Sequence, residues 1–244
     1  MTTETKTDKK KTFEVQIPNQ IIRSPKVDCT TFFVYAKLVQ RYWYYRGEKD
    51  TLIFDHNTFK YYANIKNNKK LKEVFNNLYQ MKLIHTKVDE LSRNGKMEIE
   101  INPFFDLKKV DKKKEDRYFY AQLPYILLDK GILSKVGYIG IRLLYYYKSY
   151  INNHKKTITE PFCFTSMETI QKETGISENT IIKYNEILKK AKLLKIVRHQ
   201  IEYIGSCEYD EFGNEQAKFQ RFNNHYYLRF DKFNEVHEKL SKVI

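Results

Sequence analysis

A chain of 244 residues is long enough for two domains of about 100 residues each, each burying its own core, and 41% hydrophobic and 15% aromatic side chains argue against wholesale disorder. Its formal net charge of +14 favours a polyanionic partner, although a lysine-heavy, arginine-poor composition is also what AT-rich coding sequence leaves on solvated faces. No stretch approaches the ~18 apolar residues of a membrane span. The cysteines Cys29, Cys163 and Cys207 form no Cys-x-x-Cys pair, so neither a disulfide framework nor a zinc site is expected and a reducing cytoplasm suits the chain.

Residues 1–11 are polar and charged, and read as a mobile basic tail rather than a signal peptide. Phe13-Glu14-Val15-Gln16-Ile17-Pro18, then Ile21-Ile22, gives a short strand followed by an apolar step, and Phe32 to Tyr45 is an aromatic-rich apolar stretch. Phe54 to Tyr62 reads as a short helix capped by Asp55 or Asn57. Ala63-Asn64-Ile65-Lys66 is a turn in which asparagine suits a left-handed backbone. The next helix points Leu71, Val74 or Phe75, and Leu78 inward and leaves Asn67, Asn68, Lys69 and Lys72 on its outer face. Leu83–Val88 and Met97–Ile101 alternate as strands of a hairpin around Ser92-Arg93-Asn94-Gly95-Lys96, with Asn94-Gly95 as the turn. Arg93 and Lys96 at that tip would reach phosphates or a narrow minor groove, or simply solubilise a turn. Residues 107–117 are dense in lysine and read as a charged linker.

The pattern then repeats. Phe119-Tyr120-Ala121-Gln122-Leu123-Pro124, followed by Leu127-Leu128, restates the opening at an offset of 106 (119 − 13). Ser134 is placed to cap a helix running to about Tyr150, with Ile139, Leu143, Leu144 and Tyr147 on one face. The run Tyr145-Tyr146-Tyr147 suggests core packing, since consecutive helical residues point different ways and cannot form one stacking platform. Phe164 to Glu173 supplies a short helix with Ser166 near its N-cap, Thr174-Gly175-Ile176 a turn, and Ser177 the cap of a helix to about Lys190. Ile181, Tyr184 and Leu188 form the inner stripe of that helix, which leaves Asn179, Thr180 and Lys183 outside. Leu78 and Leu188 correspond at an offset of 110 (188 − 78), so the copies differ by small insertions.

Lys195–Ile204 and Lys218–Phe230 read as the strands of a second hairpin, whose tip, 208–215, carries Glu208, Asp210, Glu211 and Glu215. Phosphate would repel that tip, so it points away from DNA or serves another partner. Phe233, Val236 and Leu240 have the spacing of a final helix, one that closes the second domain or contributes to a dimer. No phosphate-binding loop is present. The six histidines never fall at metal-ligand spacing, which counts against the tyrosine nickases of rolling-circle replication. Catalysis, a metal and a cofactor are therefore not expected.

The turn Thr174-Gly175-Ile176-Ser177, the helix after it and Leu193 to Arg198 resemble the winged helix-turn-helix proteins of bacteria. Val15 to Pro18 with Tyr35-Ala36-Lys37-Leu38 is similar to the N-terminal domain of a replication-initiator family of Gram-positive plasmids, and the tandem arrangement resembles plasmid and phage replication initiators. The resemblance implies an α+β fold of two tandem winged helix-turn-helix domains related by internal duplication: domain 1 over 12–106, domain 2 over 118–244. It implies sequence-specific binding of double-stranded DNA at repeated origin sites by two recognition helices in successive major grooves, about 10 base pairs apart. Asn68 and Asn179 would pair with adenine, and Lys69, Lys72 and Lys183 with guanine or phosphate. Arg93, Lys96, Arg198 and Arg221 would hold the backbone, with Asn67, Ser177 and Thr180 beside them. A transcriptional regulator of the same class, or a winged-helix protein-interaction module, would share this architecture. The implied location is bacterial and cytoplasmic, on nucleoid or plasmid, with a homodimer and a replication protein at the acidic tip as further partners.

Overall fold

The computed structural model describes residues 13–45, 50–103, 120–151, 161–209 and 215–241, with the backbone alone over 200–223. The tail 1–11, the linker 107–117 and positions 210–214 of the acidic tip lie outside these residues. The fold is mixed α and β, with small antiparallel sheets. Among the described residues no helix is long and apolar enough to cross a membrane.

Strand β1 (Glu14–Pro18) buries Val15 and Ile17 in alternation and stops at Pro18, which leads into a single helical turn, α1 (Asn19–Ile22). Asp28 starts α2 (Cys29–Tyr44) by accepting hydrogen bonds from the Thr30 and Thr31 amides. β2 (Thr51–Asp55) runs straight into α3 (His56–Tyr62), whose cap is Asp55, accepting from Thr58 N at 2.6 Å. The expected helix start at Phe54 is therefore two residues early, because Phe54 belongs to the strand. Asn64 takes φ 54°, the left-handed turn its residue type predicts, and α4 (Asn68–Gln80) follows with Leu71, Val74, Phe75 and Leu78 all buried.

β3 (Lys96–Glu100) pairs with β2, not with the 83–88 segment expected to be its hairpin partner. That segment contributes only the Ile84–Ile101 bridge and the bonds around it. The reason lies at the turn: the Gly95 carbonyl accepts from His56 N at 2.8 Å and the Ser92 carbonyl accepts from His56 Nε2 at 2.9 Å, which folds the tip onto the start of α3.

The second half repeats this order. β4 (Tyr120–Pro124) and a 3-10 turn (Tyr125–Leu128) precede α5 (Lys130–Tyr150), and α6 (Met167–Thr174) and α7 (Glu178–Lys190) follow. β5 (Leu194–Tyr209) and β6 (Glu215–Leu228) then make a long antiparallel ribbon, and α8 (Phe230–Ser241) closes the chain with Phe233 and Val236 buried. The Cys163–Tyr226 bridge stands where β2 meets β3 in the first half. Even the exceptional backbone angles recur: Gly175 (φ 70°) answers Asn64, and Lys192 (φ 61°) answers Lys82 (φ 59°). Ser134 is not the cap expected of it, since α5 begins at Lys130 after Asp129 and is broken at Gly137 (φ 68°, ψ 173°).

The halves share one core. β1 pairs antiparallel with β4, with Gln16 opposite Gln122, and α2 packs on α5. Buried apolar side chains run continuously from Val15 to Val236, instead of forming two separate cores. Tyr145, Tyr146 and Tyr147 are all fully buried, because α5 is surrounded on every side. Arg142, also buried, donates to the carbonyls of Ile22 (3.3 Å), Ser24 (2.7 Å) and Val27, so the second half satisfies the chain that leads into α2.

Candidate nucleic-acid interface

In the first half, the outward residues of α4 have unequal roles. Asn67, expected among the outward DNA-binding residues, is the helix cap: its Oδ1 accepts from Lys70 N at 2.8 Å. Asn68 Oδ1 accepts from Lys60 Nζ at 2.5 Å, which ties α4 to α3. Lys69 is exposed, Lys72 is half-buried, and Lys70 pairs with Glu73 at 2.7 Å. Arg93 and Lys96 are exposed on the pinned turn, where Asn94 Oδ1 accepts from Lys96 N at 3.0 Å. The same strand exposes Glu98 and Glu100, so this edge is of mixed sign.

In the second half, Ser166 caps α6 through Thr169 N, and Thr174 Oγ1 donates to Ile170 O at 2.6 Å while accepting from Ile176 N at 3.2 Å. Ser177 occupies the cap position of α7, yet its hydroxyl takes no helix amide and lies 2.8 Å from Thr180 Oγ1. Asn179 and Lys183 are exposed and Thr180 is half-buried. Sequence reasoning passed over Ile182, which is 47% exposed on this outer face. The signal was present, since Ile182 lies one residue beyond the buried Ile181. An exposed aliphatic side chain there suits a thymine methyl.

The inner face of α7 also differs from expectation. Asn185 is the buried position, accepting from Tyr147 Oη at 2.6 Å, whereas Tyr184 is half-buried over Gly137. A Cβ at Gly137 would lie 3.2 Å from the Tyr184 ring, and one at Gly140 would lie 3.4 Å from Leu188. These two glycines let α7 seat closely on α5 and fix its outer face.

The turns before α4 and α7 are each held by the opposite half. Tyr138, at the start of α5's main segment, donates to Ala63 O at 2.7 Å and Asn64 O at 3.1 Å. Gly175 sits against Pro25, whose carbonyl oxygen would be 3.2 Å from any Cβ. α6 is tied down by Glu173, which accepts from Tyr146 Oη (2.7 Å) and from Tyr150 Oη (2.8 and 2.7 Å).

On the ribbon, Arg198 is exposed opposite Asn224, and Arg221 stands opposite Glu202 in register. Glu208 and Glu215 fall on the strands, which reach further into the acidic tip than the sequence suggested. The ribbon also joins two histidines that their sequence spacing kept apart. The His199 and His225 rings lie 4.0 Å apart, with Phe162 stacked on His225 at 4.1 Å. Burial and the neighbouring His199 hold His225 below its ordinary value. Among the described residues no group of three or more potential ligands could hold a metal ion. A cleft of about 790 Å³ beside the β1–β4 pair is lined by Glu14, Gln16, Trp43, Gln122, Lys148 and Phe233, among others.

Compared with known proteins, the chain matches no protein-family model, no curated protein and no solved structure.

Proposed function

We propose that the chain is a sequence-specific, double-stranded DNA-binding protein made of two winged helix-turn-helix units, with α4 and α7 as recognition helices. One observation carries this reading: a capped helix, a left-handed turn (Asn64 or Gly175) and a second helix with a buried inner face and a polar outer face occur twice, followed by β3, which pairs back with β2, in the first half and by the β5–β6 ribbon in the second. Asn179, Thr180, Ile182 and Lys183 are the base-reading set, on a helix seated rigidly against α5. Lys69 and Lys72, with Asn68, form the more electrostatic set. Arg93, Lys96, Arg198 and Arg221 hold phosphates, and Ser177 contributes a surface hydroxyl. The resemblance to plasmid and phage replication initiators makes origin binding the favoured setting, and a promoter-bound regulator would use the same contacts.

A second reading, a winged-helix module that binds protein, is favoured on one face by Glu98 and Glu100, which repel phosphate. Fluorescence anisotropy with duplex DNA across a salt series separates the two. DNA binding should weaken with a log–log slope of about −5 to −10. Flat or absent binding to every duplex would reject the DNA reading. Replication of a plasmid bearing the gene's own origin, lost when the gene is deleted, separates an initiator from a regulator.

A further inference from the structure

We infer that the two halves form the single-chain counterpart of a two-fold dimer. Resting on the DNA reading above, this makes the target one site composed of two unlike half-sites in inverted orientation.

The symmetry is written in the β1–β4 register. Gln16 stands opposite Gln122, its own counterpart in the second copy. Val15 stands opposite Leu123 and Ile17 opposite Ala121, and Ala121 and Leu123 are the counterparts of Val15 and Ile17. Exchanging the halves therefore reproduces the pairing. Only a two-fold axis passing between Gln16 and Gln122 does this, because a simple translation would set equivalent strands parallel. Each strand is fixed to its own long helix, β1 to α2 and β4 to α5, and those helices pack on each other.

The helices bear out the relation. α1 packs on α5, and its counterpart at the same offset, the 3-10 turn Tyr125–Leu128, packs on α2. Equivalent surfaces thus meet reciprocally, as in an isologous interface, and each half also supports the other's turn, Pro25 at Gly175 and Tyr138 at Ala63-Asn64. The axis that relates β1 to β4 relates α4 to α7 as well.

Duplex DNA has its own two-fold axes perpendicular to the helix, so two-fold-related recognition helices read half-sites of opposite polarity. In a homodimer the half-sites would be identical. Here α4 presents Asn68, Lys69 and Lys72, and α7 presents Asn179, Thr180, Ile182 and Lys183. The inverted symmetry is therefore hidden in the natural site, and the protein binds it in one orientation only.

Grafting exposes it. The substitutions Lys69→Asn, Lys70→Thr, Lys72→Ile and Glu73→Lys place the outer face of α7 on α4, using the 110-residue correspondence (188 − 78). Selection from a random duplex pool should yield a bipartite, non-palindromic motif for the natural protein. For the graft it should yield a palindrome of the α7 half-site with the same centre. A direct repeat selected by the graft overturns the two-fold arrangement and leaves DNA binding standing, as does a natural motif confined to one half-site. Enrichment of no duplex by the natural protein overturns both readings. A hydroxyl-radical footprint of the natural protein decides the matter even if the graft fails to fold. Protection on one strand should mirror the other about the centre of the site, and the same pattern repeated twice along each strand overturns the inference.

Discussion

Two turns in this molecule do the same geometric work with different residues. Asn64 reaches φ 54° in the first half, and Gly175 reaches φ 70° in the second. Asparagine tolerates the left-handed region and keeps a side chain, whereas glycine suits the turn where a Cβ would lie 3.2 Å from the Pro25 carbonyl oxygen. The contrast continues in the helices that follow. Asn67 spends its side chain on capping α4, while Ser177 leaves the amides of α7 uncapped by its hydroxyl. It ends in the strands, where a tip folded onto His56 in one half stands against a ribbon of 16 and 14 residues in the other. The two halves thus share an order of elements and differ at their edges.

The largest expected effect tests whether the halves can be compared as parts of one cooperative unit. Arg142→Met removes the guanidinium bonds to the carbonyls of Ile22, Ser24 and Val27, of which Ser24 keeps the Val27 amide, and should cost about 3 kcal/mol in urea unfolding, still in a single transition. Two separated transitions would show that the seam does not couple the halves. Next come α4 and α7, the recognition helices of the proposed DNA-binding function. Lys183→Ala and Asn179→Ala should each cost ~1–3 kcal/mol at the cognate site and relax specificity, whereas Lys69→Ala should weaken all duplexes evenly and reduce the salt slope by about 1. Equal effects of Lys69 and Lys183 across sequences would erase the division of labour between α4 and α7.

Gly175→Ala should destabilise by about 1–2 kcal/mol, while Asn64→Gly should change thermal unfolding little. A similar loss at both turns would remove the distinction drawn between them. At the caps, Asn67→Ala should cost about 1 kcal/mol and Ser177→Ala well under that figure, read by chemical denaturation. The smallest effect concerns the ribbon. Folded His225 binds a proton less readily than its unfolded counterpart, so protonation favours unfolding. Stability from this source is intact above the ordinary value of 6.5 and falls as pH drops below it. His225→Phe should flatten that acid limb, and an unchanged pH profile would clear His225 of the role.

What sequence reveals here is local. Asn64, Gly175, the caps at Asp55 and Ser166, the inner face of α4, and Ile181 and Leu188 of α7 follow from residue type and from a period of 3.6, which act within a few positions of the chain, whereas the burial of Asn185 does not. The pairing of β1 with β4 was invisible, because it joins strands about a hundred residues apart through packing, not propensity. The same holds for the meeting of His199 with His225 and for the support of one half's turn by the other. Asn94-Gly95 signalled a hairpin correctly as a turn, but the backbone bonds to His56 gave the following strand a different neighbour. The exposure of α4's face was legible, yet the use of Asn67 as a cap was not, because a polar residue at a helix start can serve the helix or a ligand.

The β1–β4 pairing also determines how the molecule behaves on dilution. Two separate chains of this shape would find each other by collision, and the fraction paired would fall in proportion to concentration once dilute. Here the partnership is part of folding, so its stoichiometry is fixed at one to one however few copies are present. Neither half needs to remain identical to the other in order to be recognised by it, and each is therefore able to change its outer surface without losing its mate.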